Sequence, residues 1–264
     1  MRWTMRGRRI AMSVGALACV AVVAWLLWPE EKGKDTQYNE QTVAIMRRVM
    51  APDANGVDVG AFEGTLTRPM TEIAPRGHHY AMEPQPAYAA RLRSQFPRVD
   101  VCACALGDTD GTMPFVVARE DPTRSGFHTQ DYPTPNEHTD TVMVPVRRLD
   151  DVVAAATPIR FIKIDVEGAE YLVLRGARET IRRDRPYIAF EYGKAGMKSY
   201  GTTPEMMWSL LHDDLGLELA LMQTWLDGGR AYTKAEFTAM VRRGDEWMFV
   251  AFPAATPGTP GRRD

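Results

Sequence analysis

The chain has 264 residues, 25% of them charged and 45% hydrophobic, which suits one large globular domain or two small ones. Its net charge is −2 and its pI is about 6.2, so neither a polyanionic partner nor a nucleic acid is predicted. No internal repeat is present.

The first 28 residues have the pattern of a membrane-targeting segment. Residues 1–9 are basic, with four arginines, and residues 10–28 carry no charge. Nineteen residues at ~1.5 Å each span about 28 Å, enough to cross the hydrocarbon core. Because bulky residues precede Pro29, we favour an uncleaved single-pass anchor over a cleaved signal peptide. The arginines place the remaining chain away from the cytosol.

The rest of the chain alternates between strand and helix patterns. We predict a polar linker at 29–38, a folded domain at 39–253 and a disordered Pro/Gly-rich tail at 254–264. This alternation indicates an α/β domain with a mostly parallel sheet and helices on both faces. The domain opens with a helix at 39–50 and has another at 87–96. The predicted strands are 56–60, 78–84, 99–107, 112–118, 141–149, 159–165, 186–192, 217–222 and 246–252.

Two of the three cysteines, Cys102 and Cys104, lie two residues apart in a predicted strand. Side chains two apart on a strand point to the same face, where a disulfide between them would be strained. No second cysteine pair completes a zinc site. We therefore predict two small, buried, unbridged residues.

Acidic residues recur at the carboxyl ends of four predicted strands. They are Asp58, Glu83, Asp165 and Glu191. Ligands of parallel α/β sheets bind beyond the carboxyl ends of the strands. The sequence therefore predicts a cleft lined by carboxylates at this edge.

The segment "DVGAFEG" places Gly60 and Gly64 at a strand-to-helix turn. Such glycines allow a ligand to approach the backbone, although a tight turn without a ligand would show the same pattern. Glu83, which ends the next strand, is placed to accept hydrogen bonds from ribose hydroxyls. The spacing differs from the G-x-G-x-x-G of dinucleotide sites, so we favour a nucleoside cofactor over a nucleotide-dependent oxidoreductase.

A strand meets a helix in "FIKIDVEGAEYLVLRGA", residues 161–177. Helix capping and the helix dipole account for Glu167 and Glu170, but account less well for Asp165, which we expect in the cleft. Lys163, in mid-strand, is expected to pair with a carboxylate or to extend to solvent from a sheet edge. The helix after Gly168 is expected to bury its apolar face, formed by Ala169, Leu172, Val173, Gly176 and Ala177.

These motifs, with "YAMEP", "ALGDTDG" and "PYIAFEY", resemble the FkbM family of S-adenosylmethionine-dependent methyltransferases over about residues 40–253. The resemblance implies a Rossmann-like seven-stranded sheet with one antiparallel strand. It implies that Asp58, Gly60, Ala61 and Gly64 line the methionine part of S-adenosylmethionine, that Glu83 holds the ribose, and that Ala105, Leu106 and Asp108 lie near the adenine. Asp165 and Glu167 would face the reacting methyl group and the acceptor.

Two departures from the family pattern bear on the site. Phe62 stands where the family usually has a polar residue, and residues 119–140 form a long polar insertion. The resemblance places substrate-contacting residues in this insertion, around "RSGF".

The expected reaction is O-methylation of a hydroxyl on a sugar or glycan, or on a lipid-linked acceptor. The candidate bases are Asp165, Glu167, Glu191 and, in the insertion, His128 or His138. Their placement ranks Asp165 and Glu191 first. The same three carboxylates could hold a divalent cation, but their spacing does not demand one and no metal is predicted. The alternative is a membrane-tethered binding domain that kept the fold and lost catalysis.

Overall fold

The structure is a computed structural model that describes residues 33–128 and 138–254. The predicted anchor at 10–28 and residues 255–264 of the predicted tail lie outside these ranges. Within them, no helix is both long enough and apolar enough to cross a bilayer.

The described residues form ten strands and ten α-helices. The strands are β1 Asn55–Val59, β2 His79–Met82, β3 Val99–Cys102, β4 Ala105–Leu106, β5 Gly111–Ala118, β6 Thr139–Arg147, β7 Ile159–Ile164, β8 Tyr187–Glu191, β9 Leu217–Leu221 and β10 Met248–Pro253. The helices are α1 Lys34–Val49, α2 Thr67–Ile73, α3 Pro86–Gln95, α4 Leu149–Val152, α5 Glu170–Arg175, α6 Arg178–Asp184, α7 Lys194–Tyr200, α8 Pro204–Trp208, α9 Met222–Leu226 and α10 Lys234–Arg243. Pro122–Arg124 is a 3₁₀ turn, and Ser209–Asp214 continues α8 as a π-helix.

Seven strands form the main sheet in the order β3-β2-β1-β7-β8-β10-β9. The pairs from β3 to β8 are all parallel, and β10 runs antiparallel to both of its neighbours. The predicted mostly parallel sheet with one antiparallel strand is therefore confirmed. The chain reverses its direction of travel across the sheet between β1 and β7, and ligands bind at such switch points.

The sheet is buried on both faces, as parallel sheets are. One face packs Val57, Ile162 and Phe190 into the larger core cluster, and the other packs Phe161 and Val250 into a second cluster. This core holds the carboxyl ends of β1 and β7 side by side.

A second, three-stranded sheet has the order β4-β6-β5. Its antiparallel strands β5 and β6 correspond to the predicted segments 112–118 and 141–149. Phe115, Val144 and Val146 form its own small core. The insertion begins where β5 ends, so this sheet carries it beside the main sheet.

The predicted linker is wrong at its end, because residues 34–38 already belong to α1. No glycine or proline interrupts residues 34–49, and Asp35 lies in the first turn, where its charge favours a helix.

The helix predicted after Gly168 is instead two helices, α5 and α6, separated at Gly176. A β-carbon added at Gly176 would collide with the carbonyl oxygen of Gly107, so the chain passes too closely here for most residues. The carboxylate of Asp150 then accepts hydrogen bonds from the Glu179 and Thr180 amides and starts α6.

The prediction of unbridged cysteines is wrong, because Cys102 and Cys104 form a disulfide. Strand β3 ends at Cys102, so the two residues do not share one extended segment. Their Cα atoms lie 5.3 Å apart, within the usual range for a disulfide and closer than the ~6.6 Å of residues two apart on a strand. Burial is confirmed for Cys104, whereas Cys102 is partly exposed.

Candidate functional site

The glycine turn after β1 lies at the switch point of the sheet. Gly60 has φ +74° and Gly64 has φ +84°, which favours glycine at both positions. A β-carbon at Gly60 would collide with the carbonyl oxygen of Asp165, so the turn lies directly against the end of β7. The amides of Gly60 and Ala61 both donate to the carbonyl of Met82, which ties the turn to β2.

Glu83 lies just beyond β2, as predicted, and its carboxylate is fixed by backbone amides. Phe62 N donates to Oε2 at 2.9 Å and Gln85 N donates to Oε1 at 2.8 Å. Burial raises the pKa of Glu83, although these two amides oppose the shift. Each oxygen keeps a lone pair, so the side chain can accept ligand hydroxyls without moving.

Phe62, which differs from the family pattern, helps to fix Glu83 through its backbone amide. It has φ +47°, which directs its amide at Glu83. Its ring packs on Tyr88, with the ring centroids 4.2 Å apart. The bulky side chain therefore lies against α3 and leaves the backbone hydrogen bond intact.

Asp58 does not line the open cleft as predicted, since its side chain is 1% exposed beneath the glycine turn. Thr67 donates to its Oδ2 at 2.6 Å, and its Oδ1 has no hydrogen-bond partner. Asp58 is the fourth residue of β1, one short of the strand end, and register pairs it with Lys163 on β7. It therefore supports the turn from below.

Lys163 pairs with carboxylates and does not extend to solvent from an edge. Its Nζ lies 3.5 Å from Asp58 Oδ1 and 3.7 Å from Asp165 Oδ2, and donates to the carbonyls of Gly60 at 2.7 Å and Val59 at 3.3 Å. Burial lowers the pKa of Lys163, but the charges of Asp165 and Asp58 outweigh it and the pKa is raised. The charged Lys163 thus connects the glycine turn to Asp165 at the carboxyl end of β7.

Three predicted catalytic acids meet at the ends of β7 and β8. One oxygen from each of Asp165, Glu167 and Glu191 lies within 4.8 Å of the others. Burial, followed by the charges of Asp165 and Glu167, raises the pKa of Glu191 well above its usual range. Carboxylates this close share a proton or accept a hard cation. The raised pKa favours the protonated form of Glu191 in this acid cluster.

Glu170 is a cap, as predicted, but a fully buried one. Its Oε1 alone accepts from Val166 N at 3.1 Å and Gly168 N at 3.0 Å. Burial raises its pKa to about 7. It closes the turn in which Glu167, at φ +57°, projects toward the acid cluster.

The residues expected near the adenine follow β3 at the same edge of the sheet. Leu106 packs in the main core and Ala105 packs in the core of the small sheet. Asp108 pairs with Arg175 of α5, Oδ2 to Nη1, at 3.1 Å. The Ala105 and Leu106 side chains are buried, while Asp108 keeps 22% of its side chain exposed.

The start of the insertion lies over the acid cluster. A β-carbon at Gly126 would be 3.7 Å from Glu167 Cβ, and Ser125 Oγ accepts from Ala118 N at 3.1 Å. His128 contacts the ring of Tyr200, with centroids 4.6 Å apart.

His138 lies at the other end of the insertion and bonds Glu120 at 2.8 Å. The sequence did not single out Tyr200, whose pKa is raised by burial. Only the packing of α7 on Gly168 brings it to the site.

This arrangement identifies the class of cofactor-binding enzyme to which the fold belongs. A positive-φ glycine turn at the switch point, followed by an anchored carboxylate at the end of the next strand, is the ribose-binding device of Rossmann-like nucleoside-cofactor enzymes. The glycine turn and the anchored carboxylate of Glu83 fit such a cofactor.

Residues 58–216 match the methyltransferase FkbM domain, and the chain belongs to this family. It is an S-adenosylmethionine-dependent methyltransferase. A similar characterised protein is the 2-O-methyltransferase NoeI of Sinorhizobium fredii, 27% identical over 169 residues, which are 58% of this chain and 68% of that protein.

Solved structures with a similar fold include the methyltransferase FkbM of Methylobacillus flagellatus and an O-methyltransferase of Bacillus cereus in complex with SAH. The first has 17% identity and a TM-score of 0.47, and the match covers 77% of this chain but 44% of that protein. The second has 13% identity and a TM-score of 0.44 and covers 89% of this chain and 88% of that protein.

Proposed function

We propose that the chain methylates a hydroxyl oxygen of a sugar, a glycan or a lipid-linked acceptor. The observation that carries this proposal is the acid cluster at the ends of β7 and β8, where Asp165 lies beside Glu191, whose raised pKa favours its protonated form. The similarity to a 2-O-methyltransferase supports oxygen as the acceptor atom.

S-adenosylmethionine supplies an electrophilic methyl group on a positively charged sulfur. The anchored carboxylate of Glu83 would hold the ribose hydroxyls, and the glycine turn would admit the methionine part. The negative cluster would favour the cationic cofactor electrostatically. Because methyl transfer is an in-line displacement, fixed alignment supplies much of the acceleration.

Asp165 is the proposed proton acceptor. Its side chain is 41% exposed, so an acceptor hydroxyl can reach it, and the Lys163 ammonium lies 3.7 Å from its Oδ2. Glu191, holding its proton, would donate a hydrogen bond to Asp165 or to the acceptor. Glu167 would complete the wall beneath Gly126.

Cofactor binding is the first test, by calorimetry on the 264-residue chain in a mild detergent. Glu83→Ala should weaken S-adenosylmethionine about 10- to 100-fold, because charge-assisted hydrogen bonds are lost. Glu63→Ala removes an exposed acid near the same turn and should change nothing. A folded wild type that binds no cofactor would contradict the proposal and favour an inactive binding domain.

The acceptor is tested with radiolabelled cofactor on free sugars, glycans and lipid-linked sugars. Asp165→Asn should lower turnover by about 10²- to 10⁴-fold while cofactor affinity stays within about threefold. A methyl ether survives mild base, whereas a methyl ester is hydrolysed. Base-labile product would show a carboxylate acceptor and refute O-methylation of a hydroxyl.

We also propose a single-pass membrane protein. The support is the uncharged run at 10–28 with its flanking arginines. The arginine bias would put the domain on the side away from the cytosol, where S-adenosylmethionine would have to be supplied. An engineered cysteine in the C-terminal tail, labelled with an impermeant thiol reagent in intact cells, decides the side. Recovery of the chain from the washed soluble fraction would contradict the anchor.

A further inference from the structure

A cavity of about 620 Å³ opens at the end of the main sheet opposite the cofactor cleft. Its lining includes His79 and Val99, the first residues of β2 and β3. Glu83 lies beyond the other end of β2, four residues and about 13 Å away along the strand. This cavity is therefore separate from the proposed methylation site.

The cavity is positively charged. Three arginines line it, Arg68, Arg76 and Arg98, together with one acid, Glu72. We name it the arginine cavity. Among the described residues, none of these three guanidinium groups lies within ion-pair distance of a carboxylate, whereas Arg175 and Arg242 elsewhere each have one. Three arginines without a carboxylate partner among the described residues line one cavity in a chain of net charge −2, which indicates a local anion site.

Two of the arginines are held in place by contacts that leave most of their donors free. Arg98 Nη1 donates to the carbonyl of Pro75 at 3.3 Å. The Arg68 guanidinium lies 5.2 Å above the ring of Phe96. A guanidinium has five N–H donors in a planar fork, which matches two oxygens of a phosphate. The remaining N–H donors can therefore bind the oxygens of a phosphate.

The cavity wall also contains a buried polar atom without a partner. His79 is 3% exposed, and its Nε2 lies 2.8 Å from the carbonyl of Ala74, which can only accept. Nε2 therefore carries the proton, and Nδ1 is left as an unsatisfied acceptor. The cavity therefore borders an unsatisfied acceptor that is closed off from solvent.

We propose that the arginine cavity binds a phosphomonoester group. The arginines would contact its anionic oxygens. A soluble phosphate compound and a phospholipid head group carry the same chemistry. The site is independent of the acceptor, which the acid cluster serves at the other edge of the sheet.

Calorimetry on the full chain tests this with inorganic phosphate and with dihexanoyl phosphatidate below its micelle concentration. Wild type should bind at least one of them with a Kd of about 1 mM or below. The double variant Arg76→Gln/Arg98→Gln should weaken binding about 10- to 100-fold, and Arg242→Gln, outside the cavity, should not. Tighter binding of phosphatidate assigns the site to lipid head groups, and equal binding assigns it to phosphomonoesters in general.

Retained S-adenosylmethionine binding shows that the double variant is folded. Arg76→Gln alone provides a second check, because Arg76 is exposed and its replacement should leave the fold intact. Absence of binding up to about 10 mM of either probe overturns the proposal. Binding that Arg242→Gln weakens as much as the double variant does also overturns it, since the attraction would then be diffuse.

Discussion

Replacing Lys163 with methionine tests whether one buried charge holds the floor of the cleft together. Its Nζ lies 3.5 Å from Asp58 Oδ1 and donates to the carbonyls of Gly60 and Val59. Methionine keeps the apolar length but leaves the Asp58 carboxylate buried without a counter-charge. Removing one partner of a buried pair costs about 3–5 kcal/mol, so the free energy of unfolding should fall by that amount.

A double-mutant cycle isolates the charge from the packing. Asp58→Asn keeps an oxygen that can accept from Thr67 and should cost about 1–2 kcal/mol. Asp58→Asn/Lys163→Met removes both charges and should be about 1–3 kcal/mol more stable than the sum of the single variants predicts. The assay is urea denaturation followed by circular dichroism near neutral pH. Lys234→Met, at an exposed helix start, should stay within about 0.5 kcal/mol of wild type.

Additive losses would refute this reasoning, because they would mean that Lys163 and Asp58 do not stabilise each other. A loss of less than about 1 kcal/mol for Lys163→Met would also refute the reasoning, because a loss that small is typical of replacing an exposed side chain. The same variants should also bind S-adenosylmethionine less tightly, because the Gly60 carbonyl loses its donor.

Three further predictions concern the turns around the site and the capping of α10. Glu170 has a folded pKa of about 7 against 4.5 for the free group, so the folded state binds more protons between those values and stability should fall by about 1–3 kcal/mol as pH rises through 7. Glu170→Gln, whose amide oxygen can accept both hydrogen bonds, should reduce that slope and leave the part due to Glu83 and Glu191, whose pKa values are also raised, whereas an unchanged slope would show that Glu170 does not contribute. Gly60→Ala should lose more than about 2 kcal/mol and bind cofactor poorly, since it adds a collision with the Asp165 carbonyl to the cost of positive φ. Gly201→Ala is the control, because Gly201 has φ +62° and open space around it. An equal loss of stability in this variant would show that the positive φ alone sets the cost. Thr233→Ala removes a capping box and should lower stability by about 1 kcal/mol by urea denaturation with cofactor affinity unchanged; no loss would show that the cap is dispensable.

Local patterns in the sequence were sufficient to find the strands and the edge at which the site lies. Alternation of strand and helix predicts the sheet, and Gly60 and Gly64 predict the turn. Glu83 and Asp165 follow directly from their positions after apolar runs. These features are readable because each depends on residues that are neighbours in the chain.

Two predictions were wrong because a local sequence pattern continues beyond the end of the strand or helix that it predicts. The strand pattern of Cys102 and Cys104 predicts side chains that cannot bond, but β3 ends at Cys102 and the disulfide forms. The apolar face after Gly168 predicts one helix, but close passage of Gly107 ends α5 at Gly176. In both cases a tertiary contact determines where a regular element stops.

The sequence by itself determined the fold class, the family and the acids at the strand ends, because periodicity and motif spacing are local. The tertiary structure alone decided what each charge does. The register of β1 with β7 sets Lys163 against Asp58, and the adjacency of β7 and β8 brings Glu191 to Asp165. Burial then distinguishes acids that look alike in sequence. It leaves Asp165 accessible and raises the pKa of Glu191, because the cost of a charge depends on surroundings assembled from distant parts of the chain.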